Sequence, residues 1–387
     1  MPLNPPQRIL LGPGPSNAHP SVLEALGAPV IGHLDPEFFK IMEENKNMLR
    51  WLFETKNDVT FPVSGTGSAG MEACLVNLIE EGDTVLVCIN GVFGTRMADI
   101  AERCGGRVVK VEAPWGEIVR PEQVEAALKE NNVQLVTLVH AETSTGVLQP
   151  VEEISKLAHD AGALLVLDTV TSLGGCPVKL DEWHADASYS GTQKCLSCPP
   201  GLSPVSFSAA ALEKLERRKT KVLSWYLDLT MIARYWGEER VYHHTAPISM
   251  NYALHAALTV VQEEGMAARF KRHELNHRAL VAGLQSLGIH LASQEGHRLW
   301  MLNSVKIPEG VSDADIRRRL LLDFNIEIGG GLGALAGKTW RIGLMGESSK
   351  RENVEALIRA LGTILAEDGA TVPAQEALDA VASIYRE

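Results

Sequence analysis

Three short apolar runs constrain this chain more than any other feature: TVLVCI at 84–89, VQLVTLVH at 133–140 and ALLVLDTV at 163–170. Each is strand-length and rich in β-branched residues, and none alternates apolar with polar as a half-solvated strand would. Strands of this kind have to be covered on both faces. Helical patterns lie between and around them: MEACLVNLIE after the Gly65–Gly67 turn, a helix near 95–104, a helix opened by Pro121 and ending near Lys129, and VEEISKLAHDAG at 151–162. RVVKVE at 107–112 reads as a further strand, with DASYSG at 186–191 and SPVSFS at 203–208 as short ones. Such alternation predicts parallel pairing through crossovers, hence an α/β sheet over about residues 60–210.

Outside that block the patterning changes. The first fifteen residues are rich in Pro and Gly and close with GPGP, which reads as an extended arm crossing a surface or entering a site. SVLEALG at 21–27 suits a short helix. From Pro36 to about Phe53, apolar residues including Phe39, Met42, Met48, Leu49 and Leu52 recur at helical spacing. Helical patterns at 248–264, 266–287, 313–322 and 351–366 are separated by LWMLNSVKI, FNIEIGG and TWRIGLMG, an α+β layout. The expected division is an arm over 1–20, a large domain over 21–260 and a small C-terminal domain over 261–387. With 387 residues, or roughly 2.6 units of average domain length, no third module is expected.

Composition narrows the function classes. A formal net charge of −12 argues against a nucleic-acid or anionic-membrane surface. No run reaches the length of about 18 uninterrupted apolar residues that a membrane-crossing helix needs. The start, MPLNPPQRILLGPGPSN, has no charged leader followed by a long apolar run, so no signal peptide is expected and the cytoplasm is the expected compartment. Six cysteines make no disulfide scaffold. Cys195 and Cys198 form a C-x-x-C, but no second pair or Cys/His cluster accompanies them, so no metal is expected.

In open α/β sheets, ligands bind beyond the carboxyl ends of the parallel strands. Four residue groups fall there. Ser64-Gly65-Thr66-Gly67-Ser68 precedes a helix, so its N–H groups, its hydroxyls and the helix dipole suit a phosphate; a tight structural turn explains it equally well. Asp168 ends the run ALLVLDTV, where an uncompensated carboxylate is costly. Its partner is a metal, a cationic ring nitrogen, or backbone donors with an arginine. Lys194, in YSGTQKCLSCPPG, lies between a strand end and a Pro-Pro-Gly corner; its amine suits Schiff-base formation followed by acid and base work, and a loop lysine on the surface is the plain alternative. Phe93, in NGVFG after TVLVCI, either stacks on a flat heteroaromatic ring or packs beneath a loop. The ETSTG run at 142–146 supplies hydroxyls at another strand exit. An amine, a carboxylate for a pyridinium nitrogen and a phosphate cradle are the three fixtures that pyridoxal 5′-phosphate (PLP) requires.

LLGPGPSN, SGTGSAGMEA, NGVFG, HAETSTG, VLDTVTSLGG, SGTQKCLSCPPG, VYHHTAP, GGGLG and WRIGLMG follow one another from residue 10 to beyond 346. In that order they resemble the landmarks of the alanine–glyoxylate / serine–pyruvate aminotransferases, which are fold-type I PLP enzymes. The resemblance implies a large, mainly parallel sheet domain with a smaller α+β C-terminal domain. It implies Lys194 as the Schiff-base lysine, Asp168 as the partner of the pyridine nitrogen and Phe93 as the ring-stacking aromatic. Thr66, Gly67, Ser68 and Gln193 correspond to phosphate contacts, and Thr143 to a residue near the ring oxygen. Tyr242 and Thr245 look like the residues that reach the phosphate from a neighbouring subunit, which implies a homodimer with composite sites. Arg341 corresponds to a clamp on the substrate carboxylate, with Gly14 and His33 approaching the substrate. Ser68 stands where some members carry histidine. His243 and His244 have no third ligand beside them, so structural or interface roles are expected of both.

The implied reaction moves the amino group of alanine or serine to glyoxylate or another small 2-oxo acid. Ureidoglycine–glyoxylate aminotransferases of purine breakdown also resemble the chain, at GTQKCLS and LAGKTWRIG among other stretches. They tend to carry glutamine where this chain has His33 and asparagine where it has Tyr242, which favours alanine or serine as donor. A PLP lyase or desulfurase would share Lys194 and Asp168. A desulfurase needs a mobile catalytic cysteine, for which Cys195 and Cys198 are badly placed.

Overall fold

Strand and helix do alternate through the first half of the chain, and a computed structural model describes residues 4–368 and 374–387. Seven strands form one sheet in the order Val59–Ser64, Leu202–Phe207, Ala187–Tyr189, Leu164–Asp168, Leu135–Val139, Thr84–Ile89, Arg107–Glu112. The last five of these pair in parallel. Their near-continuous apolar character follows from burial on both faces. Val85, Val87 and Ile89 enter one core with Met71 and Met97, while Leu86 and Cys88 enter the other with Val124, Ile154 and Leu258. At ~1.5–3 kcal/mol for each fully buried aliphatic side chain, neither face tolerates solvent.

The sheet is not parallel throughout. Leu202–Phe207 runs antiparallel to both of its neighbours. The link from Tyr189 to Leu202 holds the Lys194 turn and no crossover helix, so the chain returns in the opposite direction. Val59–Ser64, not anticipated from the sequence, is an edge strand, where Pro62 removes no needed ladder bond.

Beyond the sheet, Pro36–Leu52 and Ile248–Glu264 are helices close to their expected limits. The helix expected near 95–104 spans Val92–Arg103 and so begins a turn early. Ala209–Glu216, Leu229–Trp236 and Ala374–Ile384 are helices that patterning did not single out. In the C-terminal region, Leu302–Lys306, Thr339–Gly343 and Gly329–Gly330 form an antiparallel sheet. Met266–Ser286 and Arg351–Glu367 cover it through a core that includes Leu280, Leu284, Trp340, Leu357 and Leu361.

The N-terminal arm is extended, as expected. Ile9–Leu10 pairs with Ile326–Glu327, and the Gly343 N–H donates to the Leu11 carbonyl at 2.8 Å. The arm then passes to the Lys194 turn, where the Ser16 N–H donates to the Gln193 carbonyl and the Ser16 hydroxyl to the Lys194 carbonyl. Among the described residues, no helix is long and apolar enough to cross a membrane.

Candidate active site

Parallel pairing puts the carboxyl ends of the strands on one edge. Thr143 follows the strand Leu135–Val139, Asp168 ends the next, and Gln193 and Lys194 follow Ala187–Tyr189. The helices Gly67–Leu78 and Val92–Arg103 start at the same edge, because each follows a strand of the same direction. Thr66, Gly67, Ser68, Phe93, Thr143, Asp168, Gln193 and Lys194, eight residues expected from the sequence, therefore line one cavity of about 220 Å³.

Asp168 is 3% exposed. Its Oδ1 accepts from the Val170 N–H at 2.8 Å and its Oδ2 from the Tyr189 hydroxyl at 2.6 Å. Burial pushes its carboxyl up to about 7, against the opposing pull of those two donors. The carboxylate is thus poised to gain from a nearby cation. Lys194 is buried as well, and burial, with the Arg341 charge second, brings its amine down to about 8. Its Nζ donates to the Pro13 carbonyl of the arm. Gly14, next in the arm at φ +103°, lies so close that a Cβ there would sit 2.7 Å from Nζ.

On the opposite wall, Thr66 caps the helix Gly67–Leu78 without a side-chain capping bond. The first-turn N–H groups of a helix lack intrahelical acceptors and carry its positive dipole end, which suits an anion. The Gln193 Oε1 is buried with no hydrogen-bond partner. Arg96 was not singled out from the sequence. Its guanidinium lies 5.1 Å from the Phe93 ring centroid and its Nη1 3.4 Å from the Ser68 hydroxyl. The signal was available: Arg96 follows Phe93 by three residues, one helical turn on the same face. Glu142, completely buried at a strand exit, was read only for the hydroxyls that follow it. The burial argument applied to Asp168 would have found it.

The remaining expected residues stand apart from that wall. Arg341, in Thr339–Gly343, is 8% exposed and donates through Nε to the Gly330 carbonyl at 2.7 Å. Among the described residues no carboxylate pairs with it within 4.0 Å, and burial holds its guanidinium below the ordinary arginine value. His33 and Tyr242 do not line the cavity of their own chain; their rings lie against each other, centroids 5.3 Å apart. Tyr242 is 57% exposed, and Thr245 is exposed too. His244 Nε2 bonds the Ser64 hydroxyl at 2.7 Å, and its Nδ1 meets His243 Nδ1 at 2.8 Å.

Known proteins share this fold. A solved alanine–glyoxylate aminotransferase from Nostoc sp. superposes with a TM-score of 0.93 at 50% sequence identity, covering 94% of this chain and 97% of that one. The ureidoglycine–glyoxylate aminotransferase of Bacillus subtilis superposes with a TM-score of 0.98 at 40% identity, over 100% of both chains. An alanine–glyoxylate aminotransferase of Drosophila melanogaster is 40% identical over 365 residues, 93% of each chain. Such relatives over nearly full length, together with a match of residues 13–357 to the family described as Aminotransferase class-V, establish that the chain belongs to the class-V aminotransferases.

Proposed function

We propose that this aminotransferase uses PLP to move the amino group of alanine or serine to glyoxylate or another small 2-oxo acid. The observation that carries the reading is the pairing of a buried amine, Lys194, with a buried carboxylate, Asp168, in one cavity. The residues present fit PLP: Asp168 gains from a cationic ring nitrogen, and the helix start at Gly67, whose N-cap Thr66 makes no side-chain capping bond, offers N–H donors to a phosphate. When bound, PLP supplies a carbonyl that carries the amino group and a ring that takes up electron density.

The chain's own residues do the rest. Lys194 is the amine that would hold the cofactor and the base that would take and return the substrate α-proton; a value of about 8 keeps part of it neutral near physiological pH. Asp168 would favour a proton on the ring nitrogen, because an adjacent anion favours the charged ring. Phe93 would stack on the ring, Thr143 would serve the ring oxygen, and Thr66, Gly67, Ser68 and Gln193 would take the phosphate, with Arg96 adding positive charge. Arg341, buried without a carboxylate partner, waits for the substrate carboxylate, whose two oxygens match its fork. Gly14 leaves room beside Lys194, and His33, against Tyr242 and off its own cavity, would approach the substrate of a second copy. Tyr242 and Thr245, exposed and off their own cavity, serve the phosphate of a second copy, so the working unit is a homodimer. In the same reading an arm over 1–20, a large domain over 21–260 and a small domain over 261–387 divide the chain. Six unbonded, buried thiols support a reducing compartment, the cytoplasm.

A second reading takes ureidoglycine as donor, favoured by the full-length likeness to the Bacillus subtilis enzyme. His33 and Tyr242 favour alanine or serine. A coupled assay with glyoxylate and each donor in turn decides between them. Alanine or serine is expected to give the higher kcat/KM, and a roughly ten-fold preference for ureidoglycine overturns that choice.

A further inference from the structure

One ionisable side chain at the site has no task in that reading. Glu142 is fully buried in the two-residue strand Ala141–Glu142. Its Oε1 accepts from the Ser144 N–H at 3.0 Å and the Ser144 hydroxyl at 2.6 Å. Its Oε2 accepts from the Phe93 N–H at 3.1 Å, and the Gly94 N–H also bonds the carboxylate. The Ser144 hydroxyl oxygen in turn accepts from the Val92 N–H at 3.0 Å. Three successive N–H groups of the first turn of Val92–Arg103 thus end on Glu142, directly or through one hydroxyl.

That helix has no cap of its own. Its N-cap residue is Gly91, and a Cβ there would lie 2.4 Å from both Glu142 Cδ and Ser144 Oγ. A carboxylate from another strand exit therefore does the work that a Ser or Asp normally does locally. Phe93 sits in this turn and lines the cavity. We propose that Glu142 is the positioning residue that seats Phe93 against the cofactor ring, a role that rests on the PLP reading.

Two variants test the seating. Glu142→Gln keeps the volume and loses the carboxylate; Glu142→Asp withdraws the carboxylate from the Phe93 N–H. Each is loaded with PLP and followed by visible absorbance and circular dichroism. Glu142→Gln is expected to change the dichroic amplitude of the bound cofactor and to weaken PLP binding about ten-fold. Glu142→Asp is expected to change the amplitude in the same direction, as Phe93→Leu should. If Glu142→Gln does not fold, Ser144→Ala stands in, with the same expected change in amplitude. Unchanged amplitude in loaded Glu142→Gln or in Ser144→Ala overturns the proposal, as does a variant that loses only thermal stability. A wild-type protein that takes up no PLP and shows no visible band defeats the PLP reading instead.

Discussion

At the scale of single residues, the site is a set of groups held away from their ordinary ionisation by burial. Asp168 is the clearest case, raised from 3.8 to about 7. A carboxyl raised in the folded state adds stability below its unfolded value, and that contribution is lost as pH rises through the folded value. Cofactor-free wild type should therefore lose thermal stability between about pH 4 and pH 7, and Asp168→Asn should flatten that slope in calorimetric scans while abolishing transamination. Lys194 is lowered toward 8, so its contribution changes only above that window. Lys194→Ala should retain the fold and lose about a thousand-fold or more in turnover. Arg341→Lys should raise KM for both amino and oxo acid about ten-fold, because a point charge cannot replace the fork; an unchanged KM would remove Arg341 from substrate binding. Lys194 and Phe93 were legible because each stands at a strand exit near glycine or proline, and Asp168 because it ends an apolar run. Arg96 and Glu142 were not, because their meaning lies in what they touch across the cavity: the Phe93 ring for one, the Phe93 N–H for the other.

At the scale of elements, the same distinction appears in the helix Val92–Arg103. Local sequence suggested a start near residue 95, since NGVFG reads as a loop. The helix begins three residues sooner because Glu142 and Ser144, distant in sequence, satisfy its first N–H groups. Gly91 permits that approach, so Gly91→Ala should cost about 1–3 kcal/mol in urea unfolding through overpacking, with weaker PLP binding as the second readout. The strand Leu202–Phe207 teaches a related lesson. Nothing in its composition gives its direction, which was decided by the short Lys194 turn that leads into it. Continuous burial of Thr84–Ile89 and Leu135–Val139, by contrast, was readable directly, since both faces of those strands demand apolar side chains.

At the scale of the whole molecule, several exposed apolar residues lie near Thr245: Leu223, Trp225 and Tyr242 are 68%, 62% and 57% exposed. Lone exposed aromatics are ordinary; a cluster of this kind is what the proposed homodimer would cover. Mixing Lys194→Ala chains with Tyr242→Ala chains should restore part of the activity that each lacks alone, because a mixed dimer holds one site with both residues intact. Absence of any recovery, with mixed dimers verified by mass, would show that each site is built within one chain. The sequence by itself determined the α/β class and the edge on which the chemistry lies, because apolar periodicity and glycine-rich strand exits are local properties. Only the tertiary structure decided which polar groups meet: the arm carbonyl at Lys194, the carboxylate under Phe93, the unpaired guanidinium of Arg341. Those contacts join residues far apart in the chain, and burial, which depends on the whole fold, sets their charge.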